Sequence, residues 1–115
     1  MTTRLPGICF VGCGNIAQTH AKNLRKIYGA IPLFFNDTDV AKALAFKSQF
    51  RGENIFPEPE HIFDSEKVDI VFITTPHAFH EEIAVAAAKA GKHIIIEKPI
   101  ARNLHEIKRI ATAVS

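Results

Sequence analysis

The 115-residue sequence predicts an α/β fold, a doubly wound and mostly parallel sheet with helices on both faces. Short apolar runs alternate along the chain with stretches in which apolar residues recur at helical spacing. The runs at 68–74 and 93–97 are apolar almost throughout, which is typical of parallel strands buried on both faces. Because strands that alternate with helices require right-handed parallel crossovers, these observations favour a doubly wound sheet.

The predicted elements alternate between strand and helix along most of the chain. Strands are expected at residues 8–11, 31–35, 54–56, 68–74 and 93–97. Helices are expected over residues 15–28, from Asp37 or Asp39 to Phe50, over 80–90, and from Asn103 onward. Gly29 is expected to end the first helix by adopting a positive φ, and Gly91 to end the helix at 80–90. Residues 51–66 are otherwise expected to be irregular, since Pro57 and Pro59 break helices.

Composition excludes several classes of function. A content of 47% hydrophobic and 23% charged residues is typical of one globular domain, here residues 1–115. The net charge of +2 is carried by scattered bases, which argues against a nucleic-acid or anionic-membrane partner. No apolar run is long enough for a signal peptide or a membrane span. Two cysteines form neither a disulfide scaffold nor a zinc site, so we predict no metal and a cytoplasmic location.

The segment after the first strand matches the fingerprint G-x-G-x-x-G/A and precedes a helix, as that motif requires. Gly12 would permit the tight turn, and Gly14 would let a pyrophosphate approach the backbone. Ala17 would let the helix pack close to the strand. The N–H groups of Asn15 and Ile16 would face the anion at the positive end of the helix. The motif predicts dinucleotide binding, with a merely tight structural turn as the alternative.

Asp37 follows the second predicted strand, 25 residues after Gly12. A carboxylate at this position can accept hydrogen bonds from both adenosine ribose hydroxyls and would repel a 2′-phosphate. No arginine follows that would receive such a phosphate. The position favours NAD over NADP. The alternative is that Asp37 only caps the next helix, a role for which Asp39 competes.

Two further strand ends carry polar groups. These are Thr74-Thr75-Pro76-His77, with His80 close behind, and Glu97-Lys98-Pro99. Lys98 follows an apolar strand and precedes a proline, so it is expected in an extended turn at the ligand-binding edge. There it could act as an acid/base or hold a substrate hydroxyl, with Glu97 orienting it. An ordinary surface turn is the alternative.

Three segments together resemble one known family. They are Gly12-Cys13-Gly14-Asn15-Ile16-Ala17, Thr75-Pro76-His77-Ala78-Phe79-His80 and Ala90-Gly91-Lys92-His93-Ile94-Ile95-Ile96-Glu97-Lys98-Pro99. On these residues, nearly the whole chain resembles the N-terminal Rossmann domain of the Gfo/Idh/MocA family, named after glucose–fructose oxidoreductase and inositol dehydrogenase. The most specific part is Gly-Lys-His-x-x-x-Glu-Lys-Pro.

The resemblance implies an NAD(P)-dependent oxidoreductase, a dehydrogenase that transfers a hydride between nicotinamide and a sugar, cyclitol or related polyol. It implies that Lys98 lies beside the nicotinamide and the reacting carbinol and assists proton transfer as the catalytic residue. It also implies that Thr75, Pro76 and His80 line the cofactor cleft, and that Asp37 faces the adenosine ribose.

Members of this family continue into a second α/β domain, which supplies most of the substrate pocket and is not in this sequence. We therefore expect the 115-residue chain to bind NAD, or less favourably NADP, with little or no turnover. A non-catalytic sensor or regulatory module that binds NAD(H) is the main alternative. Another is an interaction fragment that self-associates through an exposed sheet edge.

Overall fold

The sheet has five parallel strands in the order β3-β2-β1-β4-β5, in a computed structural model that describes residues 5–75 and 80–96. The strands are β1 (Ile8–Val11), β2 (Leu33–Asn36), β3 (Asn54–Ile55), β4 (Ile70–Ile73) and β5 (His93–Ile96). β1 lies at the centre, because Cys9 is in register with Phe34 of β2 on one side and Val71 of β4 on the other. The predicted parallel α/β sheet is confirmed.

The described helices lie on both faces of this sheet, as predicted. They are α1 (Asn15–Ile27), α2 (Val40–Gln49), α3 (Pro59–Asp64) and α4 (His80–Lys89). Successive strand residues point to opposite faces, so β1 contributes to two separate apolar clusters. Ile8 and Phe10 pack in one cluster with residues of α1 and α2. Cys9 and Val11 pack in the other with residues of α3 and α4.

Stacked phenylalanines fill the cluster beneath α1 and α2. The ring of Phe10 is fully buried and lies between Phe35, at a centroid distance of 5.8 Å, and Phe72, at 5.0 Å. Phe46 of α2 meets Phe35 edge-on at 5.6 Å. Buried aromatic pairs of this kind contribute about 0.5–1.5 kcal/mol each beyond the area that they bury. This cluster fixes α2 against β2, and so fixes the sheet edge where the site lies.

The expectation of an irregular segment over 51–66 is wrong, because residues 59–64 form α3. Pro59 is the first residue of that helix, where proline needs no hydrogen-bond donor and its fixed φ suits the helix. The fully buried side chain of Ile62 anchors α3 to the core. Proline was interpreted as a helix breaker at a position where it begins one.

The two helix-ending glycines behave differently. Gly91 adopts a φ of +78° after α4, in keeping with the predicted end of that helix. The positive φ expected for Gly29 is not found, because α1 ends at Ile27 with Tyr28 as its C-cap residue. The guanidinium group of Arg25 instead stabilises this turn by donating to the carbonyl oxygens of Gly29 and Ile31 at 2.8 Å each.

The expectation that the fifth strand is buried on both faces is wrong for the described part of the chain. β5 is present, but exposed and half-buried residues alternate along it, and Ile95 is 43% exposed. Ile94 and Ile96 pack against the cluster beneath α3 and α4. The apolar run at 93–97 therefore predicts the strand correctly but overestimates how far its side chains are buried.

Gly7 joins β1 to β4 at the N-terminal end of the sheet. Its carbonyl oxygen accepts from the N–H groups of Asp69, at 2.8 Å, and Ile70, at 3.0 Å. Its own N–H donates to the Asp69 carboxylate at 2.9 Å. The carbonyl group of Lys67 occupies the place that a Cβ on Gly7 would take. Only a residue without a side chain allows this close approach.

Lys92 ties the turn after α4 to the segment that precedes β4. Its ammonium group donates to the carbonyl oxygens of Ser65, at 2.6 Å, and Val68, at 2.7 Å. These contacts lie at the sheet end opposite to the glycine-rich loop. The lysine that stands before His93 in the family-like motif is therefore a structural residue.

We expect Lys92→Met to destabilise the fold by about 2 kcal/mol, because two half-buried carbonyl oxygens lose a charged donor. Methionine retains most of the packing of the lysine stem, so the change reports on the hydrogen bonds. The measurement is urea unfolding followed by circular dichroism. Lys89→Met, on the exposed end of α4, is the control and should change stability by less than about 0.5 kcal/mol. Equal effects of the two substitutions would contradict this role.

Candidate functional site

Gly12, Asp37 and Thr74, which the sequence identifies as candidate site residues, follow strands that end at the same C-terminal edge of the sheet. β1 is followed in the chain by β2 on one side, whereas β4 lies on its other side, so the strand order reverses beside β1. Ligands of open parallel sheets bind beyond the strand ends at such a point. The last residues of β1, β2 and β4 are in register. The residues that follow these three ends are Gly12, Asp37 and Thr74.

Gly12 makes the turn that leaves β1. It adopts a φ of +104°, in the region that favours glycine. A Cβ here would lie 2.9 Å from the carbonyl carbon and oxygen of Thr74 and from the backbone nitrogen of Thr75. The Gly12 N–H donates to the carbonyl oxygen of Asn36 at 2.8 Å. The turn is thus packed between the ends of β2 and β4.

Gly14 is the N-cap residue of α1, and no side chain caps this helix. Its backbone is extended, at φ −112° and ψ −164°, and a Cβ placed on it would meet nothing within 4 Å. The first N–H groups of a helix have no intrahelical acceptor, and those of Asn15 and Ile16 belong to this first turn. The helix dipole adds partial positive charge at the same place. The loop therefore presents an open, anion-attracting surface.

Ala17 lies between α1 and the sheet, where the sequence predicts a small side chain. Its side chain is fully buried and belongs to the same apolar cluster as Cys13 and Phe10. A larger side chain would push α1 away from the sheet. The small residue thus sets the distance between the helix start and the end of β1.

The Asp37 carboxylate is bonded to the glycine-rich loop. One oxygen, Oδ2, accepts from the N–H of Cys13 at 2.8 Å, and the other, Oδ1, accepts from the N–H of Asp39 at 2.8 Å. Asp39, not Asp37, caps α2, since its carboxylate accepts from the N–H of Ala41 at 3.0 Å. Sequence reasoning missed the bond to Cys13, because no spacing rule links a loop residue to the end of the next strand.

Both cysteines are buried free thiols. Burial, and after it the negative charge of Asp37, raises the pKa of the Cys13 thiol to about 12, with Lys42 partly opposing the shift. Burial also raises the pKa of Cys9 well above its usual range. Neutral thiols at physiological pH are weak nucleophiles, so neither residue is a candidate for covalent catalysis.

Thr74 follows β4 and borders the candidate site on that side. Its hydroxyl donates to the Gly12 carbonyl oxygen at 2.7 Å, and its N–H donates to the carbonyl oxygen of Val11 at 2.9 Å. Thr75 is half-buried and lies against the Gly12 turn through its backbone nitrogen. The threonines proposed for the cleft thus adjoin the loop.

Several candidate residues lie outside the described part of the chain. These are Pro76, Glu97 and Lys98, together with the side chain of His80, whose backbone begins α4. β5 ends at Ile96, which is in register with Ile73 of β4. Within 5–75 and 80–96, no group of three or more His, Cys, Asp or Glu side chains could hold a metal ion. No helix in those ranges is long and apolar enough to cross a membrane.

A parallel sheet of this strand order, with a glycine-rich turn leading into an uncapped helix at the point of reversal, defines a Rossmann-type nucleotide-binding domain. The comparison with family models agrees. Residues 7–115 match the Gfo/Idh/MocA model, described as an oxidoreductase family with an NAD-binding Rossmann fold. This chain belongs to that family.

Known proteins of similar sequence and structure include three dehydrogenases. Myo-inositol 2-dehydrogenase of Thermotoga maritima is 31% identical over 100 residues, covering 87% of this chain and 30% of that protein. A levoglucosan dehydrogenase, solved with NADH and levoglucosan, is 32% identical with a TM-score of 0.83, over 96% of this chain and 32% of its own. The WlbA dehydrogenase of Bordetella pertussis, solved with NADH and UDP-GlcNAcA, is 25% identical with a TM-score of 0.88. It is matched over 99% of this chain and 34% of its own.

The chain spans about a third of the length of the relatives that it matches. The third of each relative that matches this chain corresponds to the glycine-rich loop and the parallel sheet described above. The activities of those dehydrogenases therefore belong to whole proteins with more residues than this chain shares with them.

Proposed function

We propose that this chain is the cofactor-binding part of a dehydrogenase that transfers a hydride between NAD and a carbinol of a sugar, cyclitol or related polyol. The observation that carries the proposal is the open, positively polarised start of α1 next to the Asp37 carboxylate. A pyrophosphate needs the first feature, and an adenosine ribose needs the second. Relatives crystallised with NADH, and others named for inositol or levoglucosan, support the same choice of cofactor and substrate class.

The described residues fit this cofactor. Gly14 leaves room for a phosphate against the backbone, and Asn15 and Ile16 supply donors. Each oxygen of the Asp37 carboxylate accepts one backbone N–H and keeps a lone pair for a ribose hydroxyl. Bound NAD would supply the hydride acceptor. The carboxylate would also repel the 2′-phosphate of NADP, which favours NAD.

For the chemical step, we assign the proton transfer to Lys98. This role rests on the family resemblance and on its place in the sequence directly after β5 and Glu97. A lysine beside the reacting carbinol, with its amine in the neutral form, would take up the hydroxyl proton as the hydride passes to the nicotinamide. The matched dehydrogenases are about three times as long, so we expect the 115-residue chain alone to bind cofactor with little or no turnover. Specific sugar- or inositol-dependent NADH production by this chain would contradict that expectation.

Calorimetric titration of the 115-residue protein with NADH and NADPH tests the proposed binding. We expect NADH to bind at least about tenfold more tightly than NADPH, since only NADPH places a phosphate near a carboxylate. Asp37→Ala should weaken NADH binding at least about tenfold through loss of charged hydrogen bonds. Asp39→Asn is the control, because asparagine keeps the cap of α2 and removes one nearby negative charge.

Absence of binding by a folded protein would overturn the proposal. Equal binding of NADH and NADPH would overturn the assignment of NAD preference to Asp37. Tight NADH binding that is unaffected when Lys98→Ala is introduced is the expected result for a residue that acts in the chemical step.

A further inference from the structure

We infer that Asp37 is a positioning residue for the phosphate-binding loop, in addition to its proposed contact with the ribose. The second role rests on the proposed function, whereas the first rests on contacts within this chain. One carboxylate would then connect the phosphate-binding loop with the binding position of the adenosine ribose. This makes Asp37 necessary even for ligands that have no adenosine ribose.

The first step of the argument concerns the direction of the loop N–H groups. Gly12 and Cys13 both donate inward, to the Asn36 carbonyl oxygen and the Asp37 carboxylate respectively, at 2.8 Å each. Those two donors are committed to the end of β2 and do not face the start of α1. The anion-binding donors are therefore the next ones in the chain, at the first turn of α1.

The second step concerns what holds Cys13 in place. Cys13 lies between two glycines, so its neighbours offer no side-chain packing. Its own side chain is 5% exposed and its thiol makes a weak contact with the Asn36 carbonyl oxygen at 3.6 Å. The bond from its N–H to the carboxylate is charge-assisted and is the strongest polar contact described for this residue.

The third step concerns the carboxylate itself. Asp37 is half-buried and held from both sides, by Cys13 through Oδ2 and by Asp39 through Oδ1. Asparagine has one acceptor oxygen, and its amide group would point an N–H at one of these two donors. An asparagine could therefore keep the contact with Cys13 and lose only the contact with Asp39. Asp37→Ala removes both acceptor oxygens, so the Cys13 N–H always loses its partner. Substitution of Asp37 to favour NADPH should loosen the loop rather than simply exchange one cofactor for the other.

The test measures hydrogen exchange of the Cys13 amide by NMR in the ligand-free 115-residue protein. We expect Asp37→Ala to speed this exchange at least about tenfold, whereas Asp39→Asn leaves it within about twofold. Reduced nicotinamide mononucleotide, which lacks the adenosine ribose, is then titrated as a second probe. Its affinity should fall about tenfold or more in Asp37→Ala and remain unchanged in Asp39→Asn.

The outcomes separate this inference from the proposed function. Weaker NADH binding in Asp37→Ala, with Cys13 exchange and mononucleotide affinity as in the unsubstituted protein, would mean that Asp37 serves only the ribose and would overturn the inference. Faster Cys13 exchange in a protein that never binds NADH would uphold the positioning role and overturn the proposed function. If Asp37→Ala does not fold, Asp37→Leu replaces it, since leucine resembles aspartate in shape and has no acceptor atom. The same exchange criterion then decides.

Discussion

Gly12→Ala is expected to lose NADH binding and stability together, whereas Gly14→Ala is expected to lose binding alone. At Gly12, the φ of +104° and the 2.9 Å approach to the backbone of Thr74 both forbid a Cβ. The turn must open between the ends of β1 and β4 to admit one. We expect a loss of about 2–4 kcal/mol in the free energy of unfolding from backbone strain and overpacking. NADH affinity should fall by more than about 100-fold.

At Gly14 the backbone is one that alanine adopts readily, and the added Cβ meets nothing within 4 Å. The free energy of unfolding should therefore change by less than about 1 kcal/mol. The new methyl group would occupy the open space beside the start of α1, where the proposed pyrophosphate approaches the backbone. We expect NADH affinity to fall about tenfold or more, because the phosphate can no longer reach the N–H groups.

Urea unfolding and calorimetric titration of both variants provide the comparison. Each variant adds one methyl group to the same loop. The comparison therefore separates the effect on the free energy of unfolding from the effect on NADH binding. A Gly14→Ala protein that binds NADH as tightly as the parent would show that the open space is not the phosphate site. A Gly12→Ala protein of unchanged stability would contradict the described turn.

Gly7→Ala is expected to destabilise the protein by about 3 kcal/mol. The added Cβ would overlap the carbonyl group of Lys67, a backbone group that cannot rotate away. Moving β4 to relieve this overlap would weaken the paired bonds between Gly7 and Asp69. Overpacking and lost hydrogen bonds each contribute about 1–3 kcal/mol. The measurement is again urea unfolding of the variant and the parent protein.

Gly29→Ala is the matched control. A Cβ on Gly29 would come no closer than 3.9 Å to the Arg25 carbonyl oxygen, and Gly29 does not adopt a positive φ. Alanine should therefore leave stability unchanged or raise it by about 0.4–1 kcal/mol, because it restricts the unfolded chain. A loss at Gly29 as large as at Gly7 would mean that the effect is general to glycine replacement and not due to the Lys67 contact.

The sequence predicts most of the fold, because apolar periodicity and glycine placement are local signals. The five strands and the helices α1, α2 and α4 follow from these signals alone. The errors occur where a local pattern has two meanings. Proline at position 59 begins a helix rather than breaking one, and the apolar residues of β5 are only half covered in the described part of the chain.

The site is predicted less completely, because its decisive contacts join distant parts of the chain. Gly12 and Asp37 stand out by type and spacing, yet nothing local reveals that the Asp37 carboxylate accepts from Cys13. The Thr74 hydroxyl likewise reaches Gly12 across 62 residues. Such contacts depend on strand register. Pro76, Glu97 and Lys98 were chosen from the sequence and lie outside the described residues, so their roles remain predictions.

The central position of β1 also governs how the protein folds. One neighbour of β1 is β2, which follows closely in the chain, but the other is β4, and the contact of Gly7 with Asp69 closes a separation of 62 residues. Non-local pairings slow folding, because chain entropy is lost before the contacts form. During synthesis, β1 and β2 emerge first and leave one edge of β1 open to pairing with other chains until β4 arrives. The candidate cofactor site therefore forms only when β4 pairs with β1. Until then, newly synthesised chains can aggregate through the unpaired edge of β1.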